Sequence, residues 1–317
     1  MFKRIFTMLL IGQIILMGVA KAEVKSYEGE GEYVMSDFET PDVAKQRAKV
    51  RAQRDAQEKA GVFVNSFTKV NNYEVTEDEV IVITSGIMSI TETKYEHEAV
   101  ADGFLYRAKI KANIDTDEIN KWLEKGIQER STIAAQAKEL QASIEAQNKE
   151  IAELKRKLNE KNSQEQKENI RTEIVANDQA FLANQKVETG NKLYFVGDWR
   201  GAIANYDKAI SLNPSSDIAY RNRGTTYANI DDYSSAVADF SRAIEISPTN
   251  AASYIGRGAA YIYLKDYIRA LADLNKAIEL NPSDGMAYYN RGICHQALGD
   301  MTSARIDFDK AKNMGVS

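Results

Sequence analysis

The 317-residue sequence has one cysteine, two histidines and four prolines. A single cysteine, Cys294, excludes a disulfide framework and any cysteine-rich zinc site. His97 and His295 lie far apart and make no ligand spacing such as H-x-x-x-H. After the first 22 residues no run is apolar enough to span a bilayer, which takes about 20 residues. The net charge of −5 argues against a nucleic-acid binder that works through a basic footprint. Gly29-Glu30-Gly31 lacks the third glycine and the following helix of a dinucleotide loop. Acidic clusters such as Glu77-Asp78-Glu79 and Asp231-Asp232 have no partner base or cation. No catalytic residue, metal ligand or cofactor is assigned, and the chain reads as a non-enzyme. With 44% hydrophobic and 27% charged residues, it has ample material for folded cores and the length of about two domains.

The chain opens Met1-Phe2-Lys3-Arg4, continues with the apolar run Ile5 to Val19, and reaches small residues at Ala20-Lys21-Ala22. A charged start, a short apolar stretch and a small-residue exit are the pattern of a secretory signal peptide over 1–22. An uncleaved anchor is the alternative, but fifteen residues interrupted by Gln13 are short for a span. Removing 1–22 takes three cations and no acid, moving the charge from −5 to −8. The expectation is an exported protein of the periplasm or cell envelope, without a membrane span after cleavage.

Residues 23–125 read as a small α+β domain. Thr40-Pro41-Asp42 gives a helix start, and Ala44, Ala48, Ala52, Ala56 and Ala60 recur every four residues up to Gly61. A smooth alanine ridge allows close approach to a sheet, while Lys45, Arg47, Lys49, Arg51 and Arg54 are expected on the wet face. Strands are expected at Val24–Met35, Val62–Val75, Ile87–Val100 and Phe104–Ile114, the last two joined at Asp102-Gly103. Short helices at Glu77–Thr84 and from about Thr116 complete the order β-α-β-α-β-β. This order, with the Gly29-to-Tyr33 opening, resembles the amino-terminal domain of flagellar assembly protein T and related envelope lipoproteins, which implies an envelope context and no activity.

Residues 126–176 read as a coiled coil and polar linker. Ala137, Ile144, Ile151 and Leu158 fall at heptad position a, and Ile133, Leu140, Gln147 and Leu154 at d. So narrow a seam favours self-association, a dimer first of all; a single amphipathic helix lying on the carboxyl-terminal array is the alternative. The run from Asn159 to Asn169 has no apolar residue and reads as a solvated helix or a hinge.

Residues 177–317 carry a repeat. Pro214, Pro248 and Pro282 are spaced by 34 residues. In repeats 183–216, 217–250, 251–284 and 285–317, position 8 is Gly190, Gly224, Gly258 and Gly292, and position 24 is Tyr206, Phe240, Leu274 and Phe308. The period and pattern resemble the tetratricopeptide repeat (TPR) family. Repeats 2 to 4 pair Arg at position 7 with Asp at position 23, suggesting contacts across each helix pair. Positions 21 and 28, apolar in repeats 1 to 3, become Arg305 and Lys312, as expected of a terminal repeat.

The resemblance implies a groove lined by Asn191, Tyr194, Phe195, Arg221, Asn222, Thr225, Asn229, Ile255, Ile262, Tyr263, Tyr289, Asn290 and Ile293. Such a groove suits a peptide segment of a protein partner; Asn222 and Asn290 are expected exposed there. The basic clamp that some family members use for a terminal carboxylate is absent. A signal peptide, coiled coil and terminal TPRs also resemble the layout of the periplasmic coordinator of peptidoglycan synthesis and outer-membrane constriction. Two functions follow: an oligomeric exported adaptor working through the groove, or a structural subunit of a flagellar or envelope assembly docked through 23–125.

Overall fold

The computed structural model describes residues 23–316 apart from 36–38, 71–72, 74, 102, 125–126 and 161–163. Segment 1–22, expected to be a signal peptide, lies outside the described residues.

The amino-terminal unit is a three-stranded antiparallel sheet backed by one long helix. Strands β1 (Val24–Met35), β2 (Ser89–Val100) and β3 (Gly103–Asp115) run in the spatial order β1-β3-β2. Val100 pairs with Gly103, so the hairpin turns where Asp102-Gly103 signals it. Tyr106, Ala108, Ile110, Ala112 and Ile114 of β3 are buried on one face, while Phe104 at the open end is exposed. Helix α1 (Pro41–Val70) lies on β1 and β3. Its alanine ridge is fully buried, and Gly29 and Gly31 of β1 face it. A Cβ on Gly29 would stand 2.0 Å from the Ala52 carbonyl oxygen, and one on Gly31 2.3 Å from that of Ala48. Small residues on both partners thus bring helix and strand into backbone contact.

The expected strand at Val62–Val75 does not form, because α1 runs through Gly61 to Val70. The four-residue stripe simply continues: Val64 and Thr68 follow Ala60 at the same spacing and are equally buried. The order is therefore β-α-α-β-β-α, with α2 (Glu77–Ile87) capped by a reciprocal Thr76–Glu79 box and α3 (Thr116–Leu123) after β3. A second correction concerns α1's basic residues. Arg47 is 2% exposed and sits inside the molecule.

Helices α4 (Ile127–Glu160) and α5 (Gln164–Phe195) form an antiparallel hairpin. Asn184 Nδ2 donates to Ser143 Oγ and Gln147 Oε1, each at 3.1 Å. Asn177 reaches Glu150 at 3.0 Å, and Leu158 meets Ile170 and Ile174 in one cluster. The long helix α4 thus packs on a helix of the same chain. The polar run from Asn159 spans the end of α4 and the start of α5, which then continues unbroken into the first repeat.

The array consists of four helix pairs: the end of α5 with α6 (Trp199–Leu212), α7 (Asp217–Asn229) with α8 (Tyr233–Ile246), α9 (Ala251–Tyr263) with α10 (Tyr267–Leu280), and α11 (Gly285–Ala297) with α12 (Met301–Asn313). Asp and Asn side chains cap the starts, such as Asp232 accepting from the Ser235 amide. At position 8 the glycines meet the position-24 side chains, so that a Cβ on Gly190 would strike the Tyr206 ring. The predicted Arg–Asp contacts are present in all three repeats. Arg223, Arg257 and Arg291 each bind Asp239, Asp273 and Asp307 through two hydrogen bonds of 2.7–2.8 Å. The remaining Nη1 of each arginine reaches back to position 25 of the preceding repeat, at Asp207, Ser241 and Asn275. Each arginine therefore fastens its own helix pair and the joint to the repeat before it. Asp273→Ala is expected to lower stability by about 1.5–3 kcal/mol, since a half-buried guanidinium loses a charged bidentate partner. A thermal melt reads this directly.

Arg305 and Lys312 of α12 are exposed. Cys294 is wholly buried beside Tyr261 and Leu274. Burial pushes its thiol up to about 11 from 9.0. That burial therefore contributes stability below about pH 9, lost as pH rises through 11. Iodoacetamide at pH 8 is expected to label Cys294 only as fast as repeats 3 and 4 open, with urea abolishing the protection.

Candidate functional site

Successive A helices (α5, α7, α9, α11) pack on one another more closely than the B helices do, so they line the inner curve of the array. The expected groove residues separate into three groups along it.

At repeats 1 and 2 the inner face is occupied by the chain's own α4. Arg221 is 4% exposed, with Nη2 2.5 Å from Glu139 Oε2. Asn250, the cap of α9, donates to the other Glu139 oxygen at 3.4 Å. Leu140 and Ile144 of α4 join the core of repeat 1 with Val187, Tyr206 and Ala219. Asn222 is 3% exposed and donates to Asn191 Oδ1, which also accepts from the Tyr206 hydroxyl. Phe195 packs against the amino-terminal core. Tyr194 stacks edge-on with Trp199, and its hydroxyl accepts from Asn229 at 2.7 Å. Thr225 donates to the Arg221 carbonyl oxygen.

The seam on α4 is divided among three interiors. Ile133 and Ala137 belong to the amino-terminal core, Leu140 and Ile144 to repeat 1, and Ile151, Leu154 and Leu158 to the hairpin with α5. Gln147 accepts from Asn184 through its side chain. Of the seam expected to join two copies, Ile133, Leu140, Ile151, Leu154 and Leu158 are buried within one chain, and Ala137, Ile144 and Gln147 are half-buried. On α4 these positions meet the α+β domain, repeat 1 and α5 of the same chain. Asn290, at 8% exposed, is also buried rather than open, since position 6 of each A helix faces the neighbouring repeat.

Past the stretch that α4 covers, from Asn229 at the end of α7 onward, the inner face and its edge are open. Asn229 and Tyr263 are exposed, Tyr263 at 66% and stacked on Tyr233 with ring centres 4.5 Å apart. Ile255, Ile262, Tyr289 and Ile293 are half-buried on the same helices. One feature of the sequence went unread. Position 14 of every repeat is apolar and exposed: Val196, Ile230, Leu264 and Leu298. These four stand at the turn after each A helix, one per repeat, and Tyr263, Ile268 and Met301 are exposed as well. The 34-residue period shows this recurrence directly, yet a groove-centred search passes over it.

Antiparallel helix pairs repeated along one axis, with the A helices inside, define a helical-repeat solenoid. Family models describe residues 190–231 as a TPR repeat and residues 219–250, 251–284 and 274–306 as tetratricopeptide repeats. With the period, the glycines and the helix pairs, these matches make the chain a TPR protein. The MamA structure is 20% identical and matches over 47% of this chain and 93% of its own, with a TM-score of 0.40. The Arabidopsis OM64 TPR domain is 27% identical over 37% of this chain and 98% of its own, with a TM-score of 0.37. The first TPR of Spaghetti (RPAP3), bound to an HSP90 peptide, is 28% identical over 37% and 92%, with a TM-score of 0.36. No curated protein matches the chain. Among the described residues no helix is long and apolar enough to cross a membrane.

Proposed function

We propose that the chain is an exported, non-enzymatic scaffold that captures a protein partner with the open part of its TPR array. The observation that carries this reading is the exposed apolar residue at position 14 of every repeat, with Tyr263 exposed beside Leu264. Exposed apolar residues repeated along a folded array suit an interaction site. A partner segment would lay apolar side chains along Ile230, Leu264 and Leu298 and hydrogen-bond at Asn229. The first part of the groove serves a different purpose: α4 fills it and sets the α+β domain at a fixed place beside the array. Export to the periplasm or envelope rests on the pattern of residues 1–22, and a mature amino terminus at Glu23 is its direct check.

A photo-crosslinking residue placed at Tyr263 is expected to capture a partner in intact cells, and Leu264→Asp to abolish the capture without loss of helicity. The same probe at Lys109, on the open face of the sheet, is the counter-test. Strand β2 is a sheet edge and largely exposed, and such edges accept added strands. Capture from Lys109 and none from Tyr263 would assign the role to the amino-terminal domain, as in a structural subunit of an envelope assembly.

A further inference from the structure

The packing of α4 against the array leaves a cleft between α1, α2, α4, α5, Tyr206 of α6 and the middle of α7, with a volume of about 550 Å³. Small-molecule sites run from about 300 to 1,000 Å³. The cleft follows α4 from Ile133 to Ala152, which at about 1.5 Å per residue is roughly 28 Å. That volume spread over that length is a slot, too narrow for an α-helix of about 10–12 Å diameter. Its apolar wall is formed by Ile81, Ile133, Ala137, Leu140, Ile144 and Phe195.

The charged lining residues are Arg51, Arg54, Glu145, Lys149, Glu188 and Lys192, with Lys149 towards the Ala152 end of the cleft. Arg54 is neutralised by Glu145 at 2.9 Å, and on the far wall Lys192 is neutralised by Glu188 at 3.1 Å. Arg51 donates to the Glu32 backbone carbonyl and lies over the Tyr33 ring, and neither partner carries a charge to cancel its own. Lys149 is exposed and forms no ion pair among the described residues. Two uncompensated cations therefore stand beside an apolar slot on a chain whose net charge is −5.

We propose that this slot binds a single-chain amphiphile with an anionic head, of the fatty-acid class. The carboxylate would sit by Arg51 and Lys149, and the hydrocarbon along Ile144, Leu140, Ala137 and Ile133. The linear shape selects one chain, the apolar wall selects hydrocarbon, and the unpaired cations select the head. The slot's walls come from both the α+β domain and repeat 1, so an occupant would brace the joint between them.

The test is calorimetric titration of the full chain with oleate below its micelle concentration, with oleyl alcohol as the uncharged comparison. Saturable 1:1 binding of oleate is expected, with oleyl alcohol at least tenfold weaker. Lys149→Glu, at an exposed site, should weaken oleate at least tenfold and leave the alcohol unchanged. Gly86→Trp should abolish both, because a Cβ at Gly86 meets nothing within 4 Å and the side chain can enter the slot. If circular dichroism shows that Gly86→Trp is misfolded, Lys149→Glu decides. Absence of saturable oleate binding overturns the proposal, as does oleate binding that Lys149→Glu leaves unchanged. Alcohol bound as tightly as oleate overturns the anionic head. None of these outcomes bears on partner capture at Tyr263.

Discussion

Arg47→Ala is expected to destabilise the chain by about 3–5 kcal/mol, the cost of breaking a buried ion-pair network at one member. Arg47 extends from α1 into the seam between the α+β domain and the α4–α5 hairpin. Its Nη1 donates to Asn148 at 3.0 Å, and its Nη2 to Asn177 and Asp178 at 2.9 Å each. Its Nε lies 3.8 Å from Glu39, and the guanidinium covers the Phe181 ring at 4.3 Å. Lys155 of α4 reaches Glu39 at 2.6 Å and also donates to the Tyr33 hydroxyl, which in turn donates to Glu39. Two cations and two carboxylates thus balance inside the molecule and tie the α+β domain to the α4–α5 hairpin. Burial raises the Asp178 carboxyl against the opposing pull of Arg47, and burial lowers the Lys155 ammonium. Without Arg47, two buried carboxylates would share one cation. Arg47→Lys should recover only part of the loss, because an ammonium cannot cover the planar set of acceptors. Urea denaturation of both variants measures it; a loss below about 1 kcal/mol for Arg47→Ala would show the network to be dispensable.

Ile151→Asp is expected to have an effect of similar size and to unfold the hairpin rather than separate subunits. Ile151 is 2% exposed among Leu154, Leu158, Ile170 and Ile174. Losing a buried isoleucine costs about 2–5 kcal/mol, and placing a carboxylate there adds a desolvation penalty. Light scattering should find the unaltered chain monomeric at tens of micromolar, with no mass change in the variant. A dimer dissociated by Ile151→Asp would restore the intermolecular seam.

The repeat array was legible in the sequence almost residue by residue. Its contacts are local, each repeat meets only its neighbours, and four copies let Arg223, Arg257 and Arg291 be matched to their aspartates by spacing alone. The alanine ridge was legible for the same reason, and its continuation through Val64 and Thr68 could have been. Val62 and Phe63 carry high strand propensity, and Gly61 looked like a stop; the four-residue period outweighed both. The amphipathic seam of α4 could be seen, but not its partner, since apolar spacing records that a face is buried and not by what. Arg47 was hidden for a related reason. A cation within a run of cations looks solvated until Glu39 and Asp178, 131 residues from it, are brought beside it by the fold. Asn222 and Asn290 were misplaced because position 6 faces a neighbouring repeat, a contact that exists only once repeats stack.

The claim on which the account depends most is that α4 is an internal strut, seated between the α+β domain and the inner face of repeats 1 and 2. Native-state hydrogen exchange along Ile133–Leu158 tests it most directly. The account predicts that these amides are strongly protected, open together with those of Asn177–Val187 on α5, and show the same protection at any protein concentration. Protection that appears only as concentration rises, or α4 amides exchanging as a free helix while repeat 1 stays protected, would contradict it.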